Sequence, residues 1–171
     1  EKGIEFSFTI DGNVPPILVG DPLRISQVLI NLANNAIKFT EKGSVNINIE
    51  FVDRSNQAVR ILFRVTDTGI GISDEGKYLL FKEFSQTESS ISRKYGGTGL
   101  GLAISKNLVN LMNGEIGVES ELNKGSEFWF RLPLKESEVT FNADELNGVL
   151  LPKLKILLAE DNSINQKVAI L

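Results

Sequence analysis

The chain of 171 residues has no cysteine and no histidine, and only one methionine and one tryptophan. Without cysteine there are no disulfides and no thiolate metal sites, a composition that fits a reducing compartment. Without histidine there is no imidazole base or ligand, and no phosphohistidine can form on the chain itself. No run of roughly 18 consecutive apolar residues occurs, which excludes a helical membrane span within this stretch. Glu1-Lys2-Gly3-Ile4-Glu5 leads into no long apolar segment and does not read as a signal peptide. Lysine and arginine number 18 against 22 acidic residues, a net charge of −4, so the basic excess of a nucleic-acid binder is missing. What remains is ordinary for a soluble globular domain: 42% hydrophobic and 23% charged residues, in a length that allows one full core plus a tail.

Alternation of apolar and polar residues over 4–10 predicts a strand. Asp21-Pro22 opens a helix, with an acidic N-cap and proline at the first helical position. Ile25, Val28, Leu29, Leu32, Ala36 and Ile37 carry its core spacing to about Phe39, before Lys42-Gly43. Residues 45–52 and 59–65 predict two strands around the turn Asp53-Arg54-Ser55-Asn56. Residues 69–97, dotted with glycine and serine, read as a long loop with short helical turns, a length that tends to be functional. A second helix is expected over 100–112, ended by Asn113-Gly114, and then a hairpin of 115–120 and 127–134. Residues 135–153 read as a linker. Leu154 to Ala159 begins a new apolar strand, followed by Glu160-Asp161-Asn162. No segment repeats.

Three segments carry chemistry. Asn31, Asn35 and Lys38 stand at i, i+4 and i+7, on one helical face. They are either a solvated polar stripe or ligands: Asn34 and Asn35 are poor helix formers, and amide oxygens suit Mg²⁺ beside an anionic phosphate, with Lys38 as a point charge. Asp67-Thr68-Gly69-Ile70-Gly71 leaves a strand as D-x-G-x-G. It is either a plain turn or a close backbone approach to a ligand, with a carboxylate able to accept from an amino group such as that of adenine. Gly96-Gly97-Thr98-Gly99-Leu100-Gly101-Leu102 opens the second helix, where exposed N–H groups and the helix dipole favour anions; Arg93 and Lys94 lie just upstream. The alternative is a flexible linker. No G-K-[ST] follows, which excludes a Walker loop, and the preceding segment is no strand, which excludes a Rossmann turn.

Taken in order, the asparagine helix, D-x-G-x-G, the loop Leu80-Phe81-Lys82-Glu83-Phe84-Ser85-Gln86 and GGTGLGL resemble the N, G1, F and G2 boxes of the histidine-kinase catalytic domain. Gly125-Ser126-Glu127-Phe128 resembles its last glycine box, with Ser126 where threonine is commoner. The resemblance covers residues 1–134. It implies an α/β fold, the two-layer sandwich of the GHKL (Bergerat) type, with a mixed sheet covered on one face by helices and a mobile lid over ATP. It implies Asn35 as the main Mg²⁺ ligand supported by Asn31, Lys38 at the phosphates, and Phe39 near the adenine. It also implies that Asp67 holds the adenine amine, that Gly69 and Gly71 shape that pocket, and that Ser126 belongs to the same nucleotide site. By the same resemblance Thr98, Gly99, Leu100 and Gly101 are expected to line the phosphates, with Arg93 and Lys94 on the lid. Related ATPases carry a glutamate base four residues before the metal asparagine. Here that residue is Asn31, whose amide cannot take a proton, so phosphoryl transfer fits better than hydrolysis.

Lys155-Ile156-Leu157-Leu158-Ala159-Glu160-Asp161-Asn162 resembles the first strand and acidic pair of a receiver domain, whose phosphoacceptor aspartate would lie beyond Leu171. The organisation expected is therefore a catalytic domain over 1–134, a linker over 135–153 and a receiver start over 154–171. It implies a hybrid kinase: a cytoplasmic catalytic domain with a histidine-bearing dimerisation domain upstream and a receiver downstream. The parent is expected to be a homodimer, and this piece alone a monomer that binds no nucleic acid.

Overall fold

A computed structural model describes residues 3–55, 58–78, 80 and 100–137. Nine elements follow in order: β1 (Glu5–Ile10), β2 (Leu18–Val19), α1 (Pro22–Phe39), β3 (Ser44–Arg54), β4 (Val59–Asp67), α2 (Asp74–Lys77), α3 (Gly101–Leu111), β5 (Glu115–Glu121) and β6 (Gly125–Glu136). The sheet runs β1-β3-β4-β6, and β5 and β2 share the far edge of β6. β1 and β3 are parallel, joined through α1, and every other pairing is antiparallel. The sheet is thus mixed, as expected.

Strand alternation separates the two faces. Val45 and Ile47 of β3, Val59, Ile61, Phe63 and Val65 of β4, and Phe128, Phe130, Leu132 and Leu134 of β6 are buried. Val28, Leu32 and Ala36 of α1, with Leu108 and Val109 of α3, close that core from one side. Phe63 and Phe130 stack across β4 and β6 with ring centroids 4.5 Å apart. The opposite face is polar. Arg64 reaches Glu50 at 3.3 Å and also pairs with Glu127, Arg60 pairs with Asp53, and Arg131 pairs with Glu115 at 2.7 Å. Asn46 and Asn48 accept from Ser7 and Thr9 on the edge strand. Among the described residues, α1 and α3 form a second layer on the apolar face of the sheet.

α1 starts as its sequence dictates. The Asp21 carboxylate accepts from the Arg24 N–H at 3.0 Å, and Pro22 occupies the first turn, where no partner for its nitrogen is needed. Several details differ from the sequence reading, and one is Ile37, expected at core spacing on α1 but 40% exposed. β2 has two residues, too few to show a period. β3, β4 and β6 extend past their expected ends, because backbone pairing with the neighbouring strand continues where side-chain alternation fades. No helix among the described residues is long and apolar enough to cross a membrane.

Candidate functional site

α1 carries Asn31, Asn35, Lys38 and Phe39, all half-buried, beside the stripe that enters the core. The first of them meets α3. Asn31 Nδ2 donates to the Ser105 hydroxyl at 2.9 Å, and a Cβ added at Gly101 would lie 2.6 Å from Asn31 Oδ1. A side chain at Gly101 would force the Asn31 amide to shift. Leu100 precedes the helix and makes no side-chain cap bond to it.

Phe39 ends α1 against the turn that follows β4. Its carbonyl accepts from the Ile70 N–H at 3.3 Å, and it packs on Gly69 so closely that a Cβ there would collide with it. Lys38 Nζ lies 5.0 Å from the centre of the Phe39 ring. The turn is locked to β3 as well: Thr68 N–H donates to Ser44 O at 3.1 Å, and Ser44 N–H donates to Thr68 Oγ1 at 2.9 Å. Gly71 adopts φ +64 and faces the Glu121 carbonyl, which any side chain would strike. Asn123 N–H donates to Ile70 O at 2.7 Å, and Ile72 N–H donates to the Ser120 hydroxyl at 2.9 Å. The D-x-G-x-G turn is thereby held between the end of α1 and the β5–β6 hairpin.

Asp67 lies at the centre of this turn and is 5% exposed. Its Oδ1 accepts from the Gly69 N–H at 2.8 Å. Burial pushes its carboxyl above the usual value, while the backbone amides of Gly69 and Ser126 pull the other way. Ser126 stands opposite Asp67 in the β4–β6 ladder, buried, with its hydroxyl 3.0 Å from that of Ser120. A carboxylate has about four acceptor positions, so two amide donors leave capacity for a ligand.

The structure therefore brings Asn31 to Gly101, and Phe39 to Gly69 beside Asp67 and Ser126. The two meeting points are about 12 Å apart along α1. Arg93, Lys94, Thr98, Gly99 and Phe81 to Gln86 lie outside the described residues. Two contributors escaped sequence reading. Ser120 anchors the D-x-G-x-G turn through Ile72. Ser105 anchors Asn31, and its signal was a polar residue at a core position of α3, in phase with Leu102, Leu108 and Val109. No group of three or more acidic residues that could hold a metal exists among the described residues. The oxygen donors on α1 are neutral amides, a set that fits a cation brought with its own anionic oxygens.

Residues 20–136 match the family profile described as histidine kinase-, DNA gyrase B- and HSP90-like ATPase. Hybrid signal transduction histidine kinase K of Dictyostelium discoideum is 44% identical over 99% of this chain and 15% of its own length. The signal transduction histidine-protein kinase BarA of Escherichia coli strain K12 is 48% identical over 78% of this chain and 15% of its own. The chain thus spans about a seventh of these relatives. Among solved structures, full-length ShkA in complex with AMPPNP superposes with a TM-score of 0.67 at 36% identity, covering 86% of this chain and 29% of that one. The nucleotide-free catalytic domain of histidine kinase ThkA gives 0.62 at 34%, covering 77% of this chain and 80% of that one. The shared fold, the matched segment and these identities together make the chain a member of the histidine kinase-, DNA gyrase B- and HSP90-like ATPase family.

Proposed function

We propose that this domain holds Mg²⁺-ATP along α1, with the adenine at Asp67 and the phosphates at the opening of α3, and delivers the γ-phosphate to a histidine on a separate domain. The observation that carries it is the placement of one polar helix side between two glycine-dependent contacts, Gly69 at its end and Gly101 beside Asn31. Asp67 accepts from the exocyclic amine of adenine, and Phe39 packs near the base. Gly69 and Gly71 let the backbone close around it, and Ser126 backs Asp67. Asn35, supported by Asn31, would hold magnesium, which when bound neutralises phosphate charge. Lys38 contacts phosphate as a point charge, and the backbone of Thr98, Gly99, Leu100 and Gly101 donates to it. Arg93 and Lys94 face the terminal phosphate. The domain's contribution is positioning and charge, which is most of what phosphoryl transfer requires.

One feature favours transfer over hydrolysis. Asn31 replaces a base with an amide, so no side chain there activates water. The chain has no histidine, so the acceptor belongs to another part of the parent or another molecule. A dimerisation domain upstream, a homodimeric cytoplasmic kinase and a receiver from about residue 154 complete the reading. The tail is supported by Lys155 to Asn162 and by the likeness to the hybrid kinase of Dictyostelium, which extends over 99% of the chain. Calorimetric titration with ATP, with and without Mg²⁺, tests the site. Wild type should bind more tightly with the metal, and Asn35→Ala should lose that difference. A variant with an undiminished metal effect would contradict the assignment.

A further inference from the structure

Ser105 occupies a position that helix periodicity reserves for an apolar residue, and it is 2% exposed. A hydroxyl so placed needs a partner. A serine inside a helix can turn its own proton to the carbonyl one turn earlier, which leaves its lone pairs for another donor. Here the donor is Asn31 Nδ2, at 2.9 Å from a helix 74 residues away in sequence. The two ends of an asparagine amide are chemical opposites: the NH₂ end donates, and the oxygen accepts or binds a cation. Fixing one end fixes the other. With its NH₂ held by Ser105, the Asn31 oxygen is left at the opening turn of α3, against Gly101.

The geometry points to Ser105 as a positioning residue for the nucleotide site. It orients Asn31 so that the oxygen, not the NH₂ group, is presented where α1 meets the start of α3, and it ties the asparagine helix to the glycine-rich one. The inference rests on the nucleotide reading of that cleft. It adds a residue outside every glycine or asparagine motif of the sequence.

The test compares the full chain as wild type, Ser105→Ala, Ser105→Thr, Asn31→Ala and the Ser105→Ala/Asn31→Ala double variant. Alanine suits the helix and removes only the hydroxyl. Ser105→Ala should weaken Mg²⁺-ATP roughly three- to tenfold, the scale of one hydrogen bond. Ser105→Thr, which keeps the hydroxyl, should restore binding to near the wild-type level. The double variant should bind no worse than Asn31→Ala alone, since Ser105 acts through Asn31. A second readout needs neither nucleotide nor variant. In the ligand-free wild type, the Asn31 side-chain NH₂ protons should exchange slowly with solvent in nuclear magnetic resonance spectra. Asn31→Ala that leaves Mg²⁺-ATP affinity intact would sink the nucleotide reading and this inference together. Asn31→Ala that weakens binding while Ser105→Ala does not, losses that add in the double variant, or fast exchange of those protons would overturn the positioning role alone.

Discussion

Burial holds the Asp67 carboxyl above its ordinary pKa, while the amides of Gly69 and Ser126 pull it down. The folded state therefore prefers the protonated acid more than the unfolded chain does. That preference stabilises the fold fully below the ordinary value of 3.8 and is lost as pH rises through the folded pKa, so at neutral pH the ionised group is a strain on stability. Asp67→Asn should leave the ligand-free melting temperature at neutral pH equal or higher. The same change should weaken ATP and ADP alike by about 1.5–3 kcal/mol, because a charge-assisted acceptor is lost and an amide donor can face the adenine amine. Calorimetry and thermal melts on one sample check both halves; intact affinity in a folded variant would mean the adenine lies elsewhere. Gly71→Ala meets a positive φ and the Glu121 carbonyl at once, and should destabilise by at least about 1 kcal/mol in urea titration. Asp67, Gly69 and Gly71 stood out in the sequence as a D-x-G-x-G turn after a strand, and the structure gives both glycines a packing reason, the Phe39 carbonyl at Gly69 and the Glu121 carbonyl at Gly71. Ser120 and Ser105 stood out less, since each owes its role to a partner far along the chain that no local pattern reveals.

Among the elements, α1 shows the tightest correspondence between sequence and structure. Asp21, Pro22 and the apolar spacing each specify the same helix, and the structure places it over 22–39. Asp21→Ala should cost about 1 kcal/mol through loss of the cap to Arg24 N–H, measurable by chemical denaturation. β1 makes the contrast. Its register with β3 puts Phe6, Phe8 and Ile10 on the helix-covered side of the sheet, yet all three stay more than half exposed. Hydrophobic alternation identified the strand correctly but could not report that nothing among the described residues buries it. Phe8→Thr, a good strand former, should therefore shift stability by no more than about 0.5 kcal/mol. Phe130→Ala, from a fully buried ring stacked on Phe63, should cost about 3–5 kcal/mol. Comparable losses from both would mean that β1 is covered.

The arrangement of the whole domain was accessible only through resemblance. Periodicity marks strands and helices but says nothing of the order β1-β3-β4-β6, because those pairings join residues tens of positions apart. Yet that order builds the site. The β1-α1-β3 unit lays α1 across the sheet, β4 delivers Asp67 to its far end, and α3 meets it at Asn31. The polar outer face takes no part in this. On the proposed function the phosphate acceptor is a histidine that this chain does not carry, and one measurement addresses that directly. The chain is incubated with γ-labelled ATP and Mg²⁺, alone and with a dimerisation domain bearing the parent's histidine. The account predicts no stable label on the chain itself, and label on the added domain that is lost in acid and kept in base. Asn35→Ala should abolish that label. Label retained on this chain, or an acid-stable phosphoester on the added domain, would contradict the account.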